Sequence, residues 1–247
     1  MYRNSYMPQN AIQQSSEFVD LGKRESALEI LFEAIRARRG KTWSPSLEEA
    51  MSNFLKLCIS LRSAQGFKDG ANQFRILCQM TNVNSFESTI NKFFDSCLDA
   101  SNKAKNESIE KVLAEDLDEI ETPETIILKS ISETTHQDRT DRILLTPTLK
   151  FTWEAFRNIL EICKNNRNLE RFYADICKKV FKFLLKFERK MEFRKLCDVS
   201  KLHLQQTVRY TQNTLSINLS DPASIELQLE IRLGQLETAI SMELWNE

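Results

Sequence analysis

Between Gln137 and Asp198 apolar side chains recur at alternating steps of three and four residues, a period that an α-helix with an inward face accommodates and a strand does not. The first series is Leu149, Trp153, Phe156, Leu160 and Cys163. It opens after Thr146-Pro147, a proline in the first helical turn behind a candidate N-capping threonine. Leu169, Tyr173, Ile176, Val180, Leu184 and Phe187 form the second series, and Phe193, Leu196, Cys197 and Leu204 the third. Polar turns at Lys164 to Arg167 and Arg189 to Met191 are short enough to force antiparallel neighbours. The stretch predicts three consecutive amphipathic helices, each with one buried face.

The rest of the chain follows the same period. Pro8 opens a helix to about Leu21, Gly22 ends it, and a second helix runs from Arg24 to Arg38 with Ala27, Leu28, Leu31, Phe32 and Ile35 inward. Phe18, Gly22, Ala27 and Ala34 have tetratricopeptide-like spacing: small residues at these steps let two helices approach closely. The pattern returns at Gly66, Ala71 and Cys78, after a helix from about Ser46 to Ala64, and its separation exceeds the ~34 residues of a regular unit. Irregular helical-hairpin repeats are therefore expected. A long helix begins near Ser85; its apolar content thins after Leu98, so beyond Ala100 it should project into solvent or fray. Thr122-Pro123-Glu124 predicts a short helix through Ile131, and Ser132 to Thr140 an exposed loop. After a polar connection at Thr211 to Pro222, Ser220 or Asp221 caps a last helix with Leu227, Ile231, Leu236, Ile240 and Leu244 inward. No Gly, Pro or basic turn follows to stop it, so the sequence reads as ending inside or just after a helix.

Five Gly and five Pro in 247 residues leave too little turn chemistry for a sheet-rich fold. The expected class is all-α: tetratricopeptide-like hairpins stacked into an elongated right-handed solenoid. Two segments are expected, residues 1–121 with the long acidic helix and residues 122–247. Six cysteines show no C-x-x-C pair and sit among apolar residues, which reads as reduced core thiols of a cytosolic protein. No charged-then-apolar leader opens the chain, and no apolar run approaches the ~18 residues of a membrane span. The net charge of −1 is unevenly spread, because Glu107 to Glu121 holds seven acids against Lys111 alone. A near-neutral total is thus compatible with a basic surface elsewhere.

Motifs for catalysis are missing. There is no phosphate-cradling glycine loop, no G-x-S-x-G, no H-E-x-x-H and no cysteine cluster with zinc spacing. His203 falls at the edge of an apolar stripe and reads as a packed structural side chain; His136 falls in a polar loop and reads as solvated. No catalytic, cofactor-binding or metal-ligating residue is assigned, and a non-enzyme is expected. What stands out is a basic ridge. On the second helix Arg171, Lys178, Lys182 and Arg189 fall opposite the apolar positions, with Lys186 at the edge and Asp175 the only acid among them. Lys190, Arg194 and Lys195 continue it onto the next helix. Such a ridge is either a solvated face or a contact for nucleic-acid phosphates or an acidic protein surface. Arg36, Arg38, Arg39 and Lys41, beside Trp43, form a second candidate, although cations at a helix C-terminus also favour the helix dipole.

The segments QDRTDRILLTP, FTWEAFRNILEICKNNRNLERFY and FRKLCD resemble the amino-terminal part of the largest subunit of eukaryotic translation initiation factor three. Residues 8–43, the acidic stretch up to Glu121-Thr122-Pro123-Glu124, and the closing AISMELWNE are similar in the same order, so the likeness covers nearly the whole chain. The resemblance implies a cytoplasmic scaffold whose repeats lead into a PCI domain. It also implies pairing with subunits c and b, and contact with small ribosomal subunit proteins and rRNA near the mRNA exit, with mRNA as a further ligand. No membrane or small-molecule substrate is implied. A generic tetratricopeptide or PCI adaptor of the proteasome-lid or signalosome type is the alternative.

Overall fold

The computed structural model describes residues 8–37, 43–79, 82–118, 141, 143–164, 166–209 and 217–245, with side chains as far as 111 and 208 in the third and sixth ranges. Its helices are α1 Pro8–Asp20, α2 Arg24–Arg36, α3 Pro45–Leu61, α4 Ala64–Gln79, α5 Val83–Asp118, α6 Leu145–Cys163, α7 Glu170–Lys186, α8 Lys190–Arg209 and α9 Pro222–Ser241. A 3-10 turn, Arg167–Leu169, precedes α7. No strand occurs among the described residues, in keeping with the all-α expectation. The helix at Thr122 to Ile131, the loop at Ser132 to Thr140 and the segment boundary at 121/122 lie outside the described residues, as do His136, Arg38, Arg39 and Lys41.

Local chemistry sets the helix ends. Gly22, at φ 77°, closes α1: its N–H donates to the Val19 carbonyl and the Lys23 N–H to that of Phe18, both at 2.9 Å. Ser44 caps α3 by accepting from the Leu47 N–H at 3.3 Å, and Asp221 caps α9 by accepting from the Ala223 N–H at 3.2 Å. Helix α3 stops at Leu61, short of the expected Ala64, because Arg62 takes a left-handed conformation (φ 53°) and the Ser63 N–H donates back to Cys58 at 3.1 Å. Helix α2 ends at Arg36 rather than Arg38, where Ala37 turns extended.

The described chain divides into two compact units, one from residues 1–70 and 89–154, the other from 71–88 and 155–247. In the first, α1, α2 and α3 pack on one another around Ala11, Ala27, Leu31, Ile35, Met51 and Phe54. Phe67 stacks on Phe93 with centroids 4.5 Å apart, and Phe32 on Phe54 at 6.1 Å. The expectation for α5 beyond Ala100 does not hold. Ser101 and Ser108 are fully buried; the Ser101 hydroxyl lies 3.3 Å from that of Thr152, and Ser108 donates to Asp141. Cys97, Ser101 and Ser108 share one inward stripe, so the packed face continues in small polar residues that a search for apolar periodicity passes over.

In the second unit Phe86 meets Phe172 edge-on at 6.4 Å, Phe156 meets Phe183 at 5.2 Å and Phe181 meets Phe193 at 5.9 Å. All the apolar residues predicted inward on α6 are buried, but so are Phe151, Ala155, Ile159 and Ile162. Helix α7 likewise buries Phe172, Ala174, Cys177, Phe181 and Phe183 beside its expected stripe. One buried face is thus too few for these two helices, which have neighbours on more than one side. The reading of α9 also needs correction. Of its five expected inward residues only Ile231 is buried; Leu236 and Ile240 are exposed, and the packed side is Ser224, Ile231 and Thr238, with Gly234 over the Phe181 ring. Nor does α9 lack a stop. Glu243 is left-handed (φ 58°), and the Leu244 N–H donates to the Ala239 carbonyl at 3.0 Å.

Candidate functional site

The ridge cations are set by the α7–α8 reversal. Glu188 takes φ 52°, and the Arg189 N–H donates to the Leu184 carbonyl at 3.0 Å, so α8 restarts at Lys190. Lys186, Lys190, Arg194 and Lys195 thereby fall at and just beyond one tight corner, all exposed. Lys186 lies 5.8 Å from the Phe187 ring centroid, and Arg194 donates to the Met191 sulfur at 3.6 Å. Arg171, at the other end of α7, is also exposed.

Two ridge members are engaged elsewhere. Lys178 reaches Glu230 on α9 at 2.5 Å and Asp175 at 4.0 Å, and Arg189 donates to Glu192 at 2.6 Å. Lys182 remains exposed but borders an open groove of about 510 Å³ between α7 and α9. Phe181, Leu185 and Gly234 line that groove, with Lys178 and Lys182 on one wall and Glu230 and Glu237 on the other. Asp175 is the only acid of the ridge along its own helix; across space α9 supplies two more, which spacing within α7 could not show. Of the second basic patch, Arg36 is described and exposed in the last turn of α2.

His203 is buried between two polar partners. Its Nε2 lies 2.9 Å from Glu161 and its Nδ1 3.1 Å from the Tyr173 hydroxyl. Because a carboxylate only accepts, Nε2 carries the proton of the neutral ring, and Nδ1 accepts from the phenol. Burial holds the His203 pKa below its ordinary value, against the hydrogen bond and charge of Glu161. Burial pushes Glu161 upward, but hydrogen bonds from Lys164 and His203 outweigh it and leave that carboxyl below its usual range. The cavity beside the trio is about 10 Å³, no larger than a single water site, so no substrate reaches the imidazole there. A second polar tie was not legible either: the Ser224 hydroxyl donates to Glu170 at 2.8 Å, joining α9 to the start of α7. Its two residues stand 54 apart in the chain, and those of the His203–Glu161 pair 42 apart, beyond any local spacing rule.

None of the six cysteines forms a disulfide; five are buried and Cys197 is half-buried. Burial pushes the thiols of Cys58, Cys163 and Cys177 up to about 12 and that of Cys197 to about 11, so they pack as small apolar groups and not as thiolates. Among the described residues no cluster of three or more His, Cys, Asp or Glu side chains could hold a metal ion. No described helix is long and apolar enough to cross a membrane. The arrangement offers exposed cations on a rigid helical corner, a groove walled by both signs of charge, and a packed polar trio.

Comparison with known proteins gives this surface its context. The family model described as "eIF3a, PCI domain, TPR-like region" matches residues 9–247. The A subunit of eukaryotic translation initiation factor 3 from Danio rerio is 43% identical over 241 residues, that from Homo sapiens 42%, and that from Nematostella vectensis 41% over 249 residues. Each match covers 97% of this chain but only 19%, 17% and 26% of the respective relative. The chain therefore spans about a quarter or less of the curated relatives it matches. Nearly full coverage by one family model, on a helical-hairpin fold with the expected small residues buried at Ala27, Ala34, Ala71 and Cys78, gives the assignment: the chain belongs to the eIF3a family of eukaryotic translation initiation factor 3 subunits, in its tetratricopeptide-like PCI region.

Proposed function

We propose that these 247 residues are a non-catalytic scaffold segment of a multisubunit, cytoplasmic translation initiation factor. They contribute to assembly with other subunits, c and b among them, and to binding of the small ribosomal subunit near the mRNA exit. Family membership supports the first part. The observation that carries the second is the cationic corner: Lys190 and Lys195 are exposed there, and Lys182 one turn before it on α7, on helices whose opposite sides are packed, so their side chains project from fixed backbone positions. Cations projecting from a helical frame contact phosphates through a salt-dependent, sequence-independent attraction. Aromatic residues near them, Phe172, Phe181 and Phe183, are buried, so base stacking does not contribute. rRNA backbone is the favoured ligand, with acidic ribosomal proteins and mRNA as further contacts.

Replacing Lys182, Lys190 and Lys195 together by Glu tests the corner. Association with purified small subunits, followed by co-sedimentation over a salt series, should weaken. The slope of log K against log salt should become shallower by roughly 0.7–0.9 for each phosphate no longer neutralised. Helix content by circular dichroism should not change, since all three side chains are exposed. Equal binding at every salt concentration would remove the corner from the ribosome-binding surface.

A further inference from the structure

Helices α7 and α9 lie side by side and leave a groove between them. Ser224 donates to Glu170, Lys178 pairs with Glu230, and Gly234 lies against the Phe181 ring; these contacts follow in the same order along both helices, so the two run parallel. From the Lys178–Glu230 pair onward the groove opens to about 510 Å³ over a floor of Phe181, Leu185, Leu233 and Gly234. The Thr238 and Ser241 hydroxyls also line it, but they donate to the Gly234 and Glu237 carbonyls of their own helix at 2.7 and 2.9 Å, so neither is a free donor. Lys182 stands on one wall and Glu237 on the other, both exposed. This side of α9, carrying Glu230, Gly234, Glu237 and Ser241, is about a third of a turn away from the other, open apolar side at Leu229, Leu236 and Ile240.

These features select an occupant. An extended peptide would lay its backbone N–H and C=O groups over an apolar floor that cannot pair them, whereas a helix satisfies its own backbone and presents only side chains. The groove between neighbouring helices accepts such a row of side chains from a third. The walls then fix the charges. Lys182 calls for an acid on one edge of that helix and Glu237 for a base on the other, and an occupant charged alike on both edges meets repulsion at one wall. An apolar floor inside an exposed, charged rim is the anatomy of an interface between proteins and not of a domain interior, where unpaired charges are excluded. We infer that the α7–α9 groove docks an amphipathic helix of another protein, acidic along the edge that lies over α7 and basic along the edge that lies over α9. The inference does not rest on the cationic corner: its test uses no ribosome, and its variants leave Lys182, Lys190 and Lys195 in place.

Three synthetic helical peptides of about 18 residues, sharing one leucine face, test it. The first carries Glu along one edge of that face and Lys along the other, the second Glu on both edges, the third Lys on both. By fluorescence anisotropy with the 247-residue chain at low salt, the mixed peptide should bind at least about fivefold more tightly than either of the others. Glu237→Lys, at an exposed position, should move the preference to the peptide with Glu on both edges. Gly234→Leu, which puts a side chain over the Phe181 ring, should weaken binding of all three by about tenfold or more. Equal affinities for the three peptides, a preference that Glu237→Lys leaves unchanged, or undiminished binding by Gly234→Leu would overturn the inference. So would a dimer of the chain that Glu237→Lys dissolves, which places a second copy in the groove. Failure of the full-length protein, purified without other subunits, to bind the mixed peptide would overturn it too, because its own polypeptide then fills the groove.

Discussion

Gly70 lies so close to Phe54 that a Cβ in its place would overlap the ring at Cε1 and Cζ. Phe54 is fully buried and stacked on Phe32, so the ring has nowhere to retreat. Gly70→Ala should destabilise the first unit by about 1–3 kcal/mol, read as a lower urea midpoint with unchanged m-value. His203 makes a pH prediction with a definite sign. Its folded-state pKa is below the ordinary 6.5 and that of Glu161 below 4.5, so in acid the unfolded chain binds more protons than the native one. The contribution of the trio is therefore fully present above pH 6.5 and is lost as pH falls through the two depressed values. His203→Gln should flatten stability against pH just below 6.5 in urea titrations and also lessen the fall below 4.5, because Glu161 loses the imidazole that helps depress it while keeping Lys164. Neither residue signals its role locally. Gly70 looks like a weak helix position, and His203 finds its partners only when α6, α7 and α8 have assembled.

Among the described residues, three helices end on left-handed residues that are not glycine: Arg62, Glu188 and Glu243. Each reversal is set by backbone hydrogen bonds from the next turn, which tolerate the strain of a Cβ at positive φ. Arg62→Gly should relieve about 1–2 kcal/mol of that strain and give back about half in unfolded-chain entropy, for a net gain of roughly 0.5 kcal/mol. The gain appears as a higher thermal midpoint of the purified chain. Glycine-seeking rules locate the end of α1 at Gly22 and miss these three. Helix α5 has the converse lesson, because its inward stripe changes from Phe93, Phe94 and Cys97 to Ser101 and Ser108 without losing its packing. Hydroxyls that bond back to the helix or across to a neighbour can occupy an interior as long as they are satisfied, as Ser101 is by Cys97 and Thr152.

At the scale of the whole molecule, charge is local where the total is nearly neutral. The sequence sums to −1, yet the structure sets Lys186, Lys190, Arg194 and Lys195 around one corner while Lys178 is matched by Glu230. Periodicity alone determined that this chain is helical, where most of its helices lie, and that Trp153, Phe156, Tyr173 and Val180 are interior, while segments such as FRKLCD carried its family. The periodic properties belong to neighbours three and four residues apart, and a helix makes such neighbours touch whatever surrounds it. Tertiary structure alone decided which of the two apolar sides of α9 is covered, which ridge cations are matched by acids from another helix, and which polar groups are interior. Those outcomes depend on pairs such as Lys178 with Glu230 or His203 with Glu161, whose separation along the chain carries no period and whose meeting is set by how one helix packs on the next.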